Sequence, residues 1–124
     1  MGPSDDQPHR YSRDSVCYTG THDNCPLSQW LEEATPERVA FAKQYMGLNG
    51  EEGPIWGMIR SGMSSVSDLF VAQMQDYLEL GAESRMNFPG TLSNKNWTWR
   101  AQSDMITSAL AHRIREITRI FDRL

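Results

Sequence analysis

Ser15-Val16-Cys17-Tyr18-Thr19-Gly20-Thr21-His22-Asp23-Asn24 is the stretch on which the reading of this chain turns. A short β-branched and aromatic run passes directly into Gly, Thr, His, Asp and Asn. That is the pattern of a buried strand whose carboxyl end delivers polar side chains to a site, and in α/β folds such ends carry the chemistry. It predicts a strand over residues 15–20, ended by Gly20.

Outward from this strand the pattern turns helical. Leu27, Trp30 and Leu31 fall at i, i+3 and i+4 behind Pro26, a residue tolerated at a helix start. Thr35-Pro36-Glu37 reads as an N-cap followed by a first-turn proline, opening a helix with Val39, Phe41, Ala42 and Tyr45 that stops near Gly47. After Asn49-Gly50-Glu51-Glu52-Gly53, Pro54 opens a third helix with Ile55, Met58 and Ile59. Asp68 to Met74 is almost continuously apolar, as expected of a parallel strand buried on both faces. A helical turn through Tyr77, Leu78 and Leu80 follows, and Arg85 to Arg100 is irregular. Leu110, Ile114, Ile117, Phe121 and Leu124 form one apolar seam at helical spacing, with Arg113, Arg115, Arg119 and Arg123 alongside and expected to face solvent. Strand, helices, strand, loop and helix make a βα-type alternation, part of a parallel sheet or barrel.

The bulk properties set limits. The 124 residues fit one domain, and 39% hydrophobic with 23% charged residues suits a globular chain rather than a disordered one. A net charge of -4 gives no general attraction to nucleic acid or an anionic membrane surface. No apolar run approaches the ~20 residues of a membrane span. Residues 1–14 are polar, carry Pro3 and Pro8, and read as a lead-in loop with no signal-peptide core. A disulfide between Cys17 and Cys25 is conceivable, but two cysteines make no secreted framework; both are expected reduced, with Cys17 in the core, in a cytoplasmic protein. Neither a metal-ligand spacing nor a cofactor motif is present, so none is expected.

The candidate site residues each carry two readings. His22-Asp23 at a strand end can bind sugar hydroxyls or stabilise developing positive charge; otherwise Asp23 caps the next helix and His22 is simply hydrogen-bonded. Trp97 and Trp99, in a polar loop with Arg85 and Asn87, can stack on a ring or fill a core beneath the loop. The methionines, among them Met58, Met63 and Met74, read as core filler.

Tyr18-Thr19-Gly20-Thr21-His22-Asp23-Asn24 closely resembles a signature of the 4-alpha-glucanotransferases, glycoside hydrolase family 77. So do Gln75-Asp76-Tyr77-Leu78-Glu79-Leu80-Gly81, Arg85-Met86-Asn87-Phe88-Pro89-Gly90-Thr91 and Asn96-Trp97-Thr98-Trp99-Arg100. The resemblance covers residues 11–100 directly, and the last helix fits as the family's closing helix. It departs at Cys25-Pro26, where many members carry further polar residues.

The resemblance implies residues 15–124 as the C-terminal portion of a (β/α)8 barrel, residues 15–20 and 69–74 being its seventh and eighth strands. A full barrel takes about 250 residues or more. It also implies a retaining transfer of α-1,4-glucan segments to the 4-hydroxyl of another glucan or glucose. Such chemistry needs a nucleophile and an acid/base carboxylate about 5 Å apart. In the family these lie on earlier strands, and nothing in this chain matches them. By motif Asp23 is the third carboxylate, stabilising the oxocarbenium-like transition state; His22 binds the same sugar and Asn87 contacts the donor or acceptor. The implied partners are α-1,4-glucans (maltooligosaccharides, starch or glycogen) and the missing N-terminal part of the barrel, with no cofactor. The isolated chain is then expected to be inactive. The alternative is a stand-alone helical module that binds glucan or another protein without catalysis.

Overall fold

Val16, Cys17 and Tyr18 (β1) lie parallel to Leu69, Phe70 and Val71 (β2), each opposite its counterpart in that order. A computed structural model describes residues 7–124, in which these two short strands form a two-stranded sheet within a mostly helical chain. A parallel pair cannot be closed by a hairpin and needs a long crossover. The crossover contains α1 (Leu27–Glu33), α2 (Pro36–Met46) and α3 (Pro54–Met63). After β2 come α4 (Met74–Tyr77), 3₁₀ turns at Ala82–Ser84 and Ser103–Met105, and α5 (Ser108–Ile120). Within residues 7–14 a 3₁₀ turn spans Pro8–Arg10; the remainder of the expected lead-in loop lies outside the described residues.

Helix boundaries follow local chemistry. The Thr35 hydroxyl accepts from the Arg38 amide at 3.4 Å, Pro36 opens α2, and Gly47 ends it in the left-handed conformation at φ 64°, the backbone that glycine adopts without penalty. The Asn49 side chain accepts from the Glu51 and Glu52 amides at 3.0 and 2.9 Å, turning the chain into α3.

α3 is the centre of the core. Ile55, Trp56, Ile59 and Met63 are buried there with Leu27 and Ile117, and Leu110, Ile114 and Phe121 of the C-terminal seam pack against them. Burying one such isoleucine contributes roughly 1.5–3 kcal/mol. The seam ends at Phe121, since Leu124 is exposed. α3 reaches the sheet through Gly62: a Cβ there would lie 2.9 Å from the Phe70 ring and 3.5 Å from Cys17 Sγ.

Several expectations are corrected. The strands are shorter than residues 15–20 and 69–74, because the Gln73 amide bonds the Thr19 hydroxyl at 3.1 Å and Gln73 becomes the cap of α4. β2 is not buried on both faces. Cys17 and the half-buried Phe70 turn toward α3, while Val16, Tyr18, Leu69 and Val71 are exposed on a face that no described element covers. Met63 is core and Met58 borders it, but Met74 is exposed.

Three of the four arginines are exposed as expected, and Arg123 is half-buried. Arg113 stacks 3.8 Å from the centre of the Trp56 ring. Arg123 donates to the carbonyls of Met63, Ser65 and Ser67 at 2.8, 3.0 and 2.9 Å, tying the end of α5 to the α3–β2 connection. Arg119 pairs with Glu116 on the surface of α5.

Two outcomes are expected. Gly62→Ala pushes the Phe70 ring out of place and lowers the unfolding free energy by about 1–3 kcal/mol, read as a lower urea midpoint. Arg60 meets Glu52 through Nε and Nη2, the latter at 2.7 Å, and holds that carboxyl below the usual glutamate range. A depressed folded value contributes stability above the unfolded value, lost as the pH falls through the folded one. Glu52→Gln therefore costs less than about 1 kcal/mol near neutrality, and its urea midpoint rejoins the wild type in acid.

Candidate functional site

Beyond β1, residues 19–26 form a short loop held by its own side chains. The Asn24 side-chain oxygen accepts from the Thr21 amide at 2.7 Å and the Thr21 hydroxyl at 3.1 Å, and the Asn24 amide returns to the Thr21 carbonyl at 3.0 Å. This tight turn leaves His22 and Asp23 at its tip, side chains about half exposed, with His22 Nε2 3.4 Å from Asp23 Oδ1.

The second side of the site is the irregular segment 85–97. Asn87 Nδ2 donates to Asp23 Oδ1 at 2.8 Å. Arg85 donates from Nη2 to the Asp23 carbonyl at 2.8 Å and from Nε to the Asn87 carbonyl at 3.0 Å, with its guanidinium 4.4 Å from the Phe88 ring centre. The Trp97 ring lies 4.9 Å from that of His22 at an interplanar angle of 41°. The three expected site residues, Asp23, His22 and Asn87, are thus brought together at the carboxyl end of the sheet. Beside them is a hollow of about 420 Å³ lined by residues that include His22, Gly20, Val71 and Gln73.

Asp23 does not cap α1: Pro26 occupies the cap position with no side-chain bond, and the Leu27 amide is taken by Asp76 at 2.8 Å. Trp97 does not fill a core, being 57% exposed. Cys17 is buried, and both cysteines are free thiols. Burial pushes the Cys17 thiol up, away from reactive thiolate character.

Sequence reasoning named Arg85 in the polar loop without assigning it a role, and missed Asp76. Arg85 acts through backbone carbonyls, which leave no trace in residue pattern. Asp76 is 1% exposed, accepts from the Thr19 hydroxyl at 2.7 Å as well as from Leu27, and burial pushes its carboxyl up against those two bonds. Its signal was an acid two residues after Met74, where the apolar run through β2 ends. Among the described residues no group of three or more His, Cys, Asp or Glu could hold a metal ion.

A parallel strand pair joined through helices, with polar side chains gathered at the carboxyl ends, is the architecture of a piece of a (β/α)8 barrel. The solved amylomaltase from Streptococcus agalactiae, in complex with acarbose, superposes with a TM-score of 0.94 at 36% identity, over 99% of this chain and 25% of that one. A family model described as 4-alpha-glucanotransferase, glycoside hydrolase family 77, matches residues 2–107. The chain belongs to the 4-alpha-glucanotransferase family. It is 44% identical to the 4-alpha-glucanotransferase of Clostridium butyricum over 94% of its own length and 24% of that protein's. With the Thermus thermophilus 4-alpha-glucanotransferase it shares 39% over 94% of its length and 25% of the relative's. The chain therefore spans about a quarter of the relatives it matches.

The geometry yields a direct test. Arg85 serves two carbonyls through two different nitrogens, which one lysine ammonium cannot reproduce. Arg85→Lys should lower stability by about 1–2 kcal/mol and speed amide exchange over residues 85–97. Exchange at the wild-type rate would show that this bridge is not made.

Proposed function

We propose that the protein carrying this chain transfers α-1,4-glucan segments to the 4-hydroxyl of another glucan or of glucose, with retention at the anomeric carbon. The observation that carries the reading is the Asp23 carboxylate. It stands at the carboxyl end of β1 with Oδ1 held by Asn87, in a chain 36% identical to an amylomaltase solved with acarbose. Hydrogen bonds that orient a half-exposed carboxylate leave its charge available to a sugar. As the glycosidic bond breaks, positive charge builds on the anomeric carbon and ring oxygen, and a fixed anion nearby stabilises it more than it stabilises the ground state. In this reading His22 hydrogen-bonds the same sugar, and Asn87 both orients Asp23 and contacts the donor or acceptor.

Asp23 does not form the glycosyl-enzyme. That step needs a nucleophile and an acid/base about 5 Å apart, and in this reading both come from the rest of the barrel. The chain's partner is accordingly that remainder, whose strands would meet the uncovered face of Val16, Tyr18, Leu69 and Val71. The place in carbohydrate metabolism is the reshaping of maltooligosaccharides, starch or glycogen. The two free cysteines support a reducing compartment such as the cytoplasm.

Two measurements test this. The isolated 124-residue chain incubated with maltotriose should release no glucose and make no longer oligosaccharide; turnover would overturn the division of labour. In the same chain joined to a complete barrel, Asp23→Asn should lower kcat by on the order of 10²–10³ with a smaller change in KM. Wild-type turnover by that variant would remove Asp23 from the mechanism.

A further inference from the structure

We propose that Asp76, a buried carboxylate that touches no part of the exposed site, is the positioning residue of the His22-Asp23 loop, fastening both of its ends from below. The loop leaves β1 at Thr19 and enters α1 at Leu27. Asp76 bonds both positions at once, Oδ2 accepting from the Thr19 hydroxyl at 2.7 Å and Oδ1 from the Leu27 amide at 2.8 Å. The Thr19 hydroxyl, having donated its proton to Asp76, accepts from the Gln73 amide at 3.1 Å. The Thr19 amide donates to the Val71 carbonyl at 3.1 Å. The network is thus closed onto the carboxyl ends of both strands. Gln75, the neighbouring residue, is also buried and donates to the Ser84 carbonyl at 3.1 Å, one residue before Arg85. The short helix α4 therefore reaches toward both walls of the site, the His22-Asp23 loop and the start of the 85–97 segment.

Placement of the carboxylate makes the arrangement consequential. A carboxylate has two acceptor oxygens at a fixed separation, so it sets the distance between the two ends of the loop as well as holding each. Removing it strands the buried Leu27 amide without an acceptor, which cost burial cannot repay by relaxing a surface side chain. An asparagine in its place keeps an acceptor for Leu27 and can donate to the Thr19 oxygen, preserving the span with the charge removed.

The proposal rests on the functional reading only for the importance of His22 and Asp23; its test needs no glucan. The chain has three histidines, His9, His22 and His112. Imidazole proton–carbon spectra are recorded on the wild-type chain, Asp76→Ala and Asp76→Asn, with the His22 signal assigned by its loss in His22→Gln. Asp76→Ala is expected to move the His22 resonances toward their free-peptide positions while His9 and His112 stay in place, and Asp76→Asn to return them. If His22 keeps its wild-type resonances in Asp76→Ala, or if all three histidines move together, Asp76 is only a stabilising residue and the proposal is overturned. Either result leaves the maltotriose tests of Asp23 to stand or fall separately.

Discussion

The site at the carboxyl end of the sheet depends on three residues of β1 lying in register beside three of β2. Side chains alternate along a strand, so a slip of one residue would exchange the two faces. A slip of β1 would take Cys17 away from Gly62 of α3, and a slip of β2 would take Phe70 away from it. The same register sets Thr19 beside Gln73 and Val71, and from those two bonds, one to its hydroxyl and one from its amide, the loop with His22 and Asp23 takes its direction. α3 enforces the pairing from one side only. Its close approach at Gly62 meets the sheet, and its apolar face of Ile55, Trp56, Ile59 and Met63 shares one cluster with Ile117 of α5, against which Phe70, Leu110, Ile114 and Phe121 pack. Arg123 then fixes the α3–β2 connection by its carbonyls, which keeps the second strand in place.

The uncovered face of the sheet has a plain physical meaning. Val16, Tyr18, Leu69 and Val71 are apolar or aromatic side chains of a parallel pair, a class of sheet that is ordinarily covered on both sides. In a closed barrel that face meets the interior layers contributed by other strands. The chain spans about a quarter of its relatives, and under the proposed function the remaining strands would cover this face. The expectation of a doubly buried β2 is not met in this chain, where Phe70 turns toward α3 while Leu69 and Val71 are exposed.

Legibility followed the range of the interactions. Thr35, Pro36 and Gly47 mark α2 by bonds within a few residues, so the helix could be read directly. The seam of α5 was equally legible because periodicity is local. The inward turn of Arg123 was not, since it is set by three carbonyls far away in the chain. In the site, His22 and Asp23 were visible as polar residues at a strand end, and Asn87 only through the resemblance of its block. That Asn87 meets Asp23 across 64 positions is a tertiary fact no spacing encodes. Asp76 was hidden for the same reason: a carboxylate after an apolar run looks like a surface residue until the two donors beneath it are placed.

The segment 85–97 shows how order arises without periodicity. It has no helix or strand, yet nearly every turn in it is tied by a side chain to backbone. Asn96 accepts from the Phe88 amide at 3.3 Å and donates to the Thr91 hydroxyl at 3.0 Å, and the Thr91 hydroxyl donates to the Phe88 carbonyl at 2.6 Å. These bonds close a compact loop around Pro89-Gly90, with Gly90 at φ 75°. Trp97 follows in the left-handed conformation at φ 63°, unusual for so large a residue, with its amide donating to the Met86 carbonyl at 2.6 Å. A strained backbone of this kind costs of order 1–3 kcal/mol and persists only where surrounding bonds over-determine it. Here the strain turns the chain so that the indole stands beside His22. A relaxed, extended Trp97 would direct its side chain elsewhere and leave one side of His22 open. The cost is borne at the place where the loop meets the candidate site, so the loop's chemistry, dense in Asn, Thr, Pro and Gly, is explained by what it must hold rather than by any regular structure it fails to form.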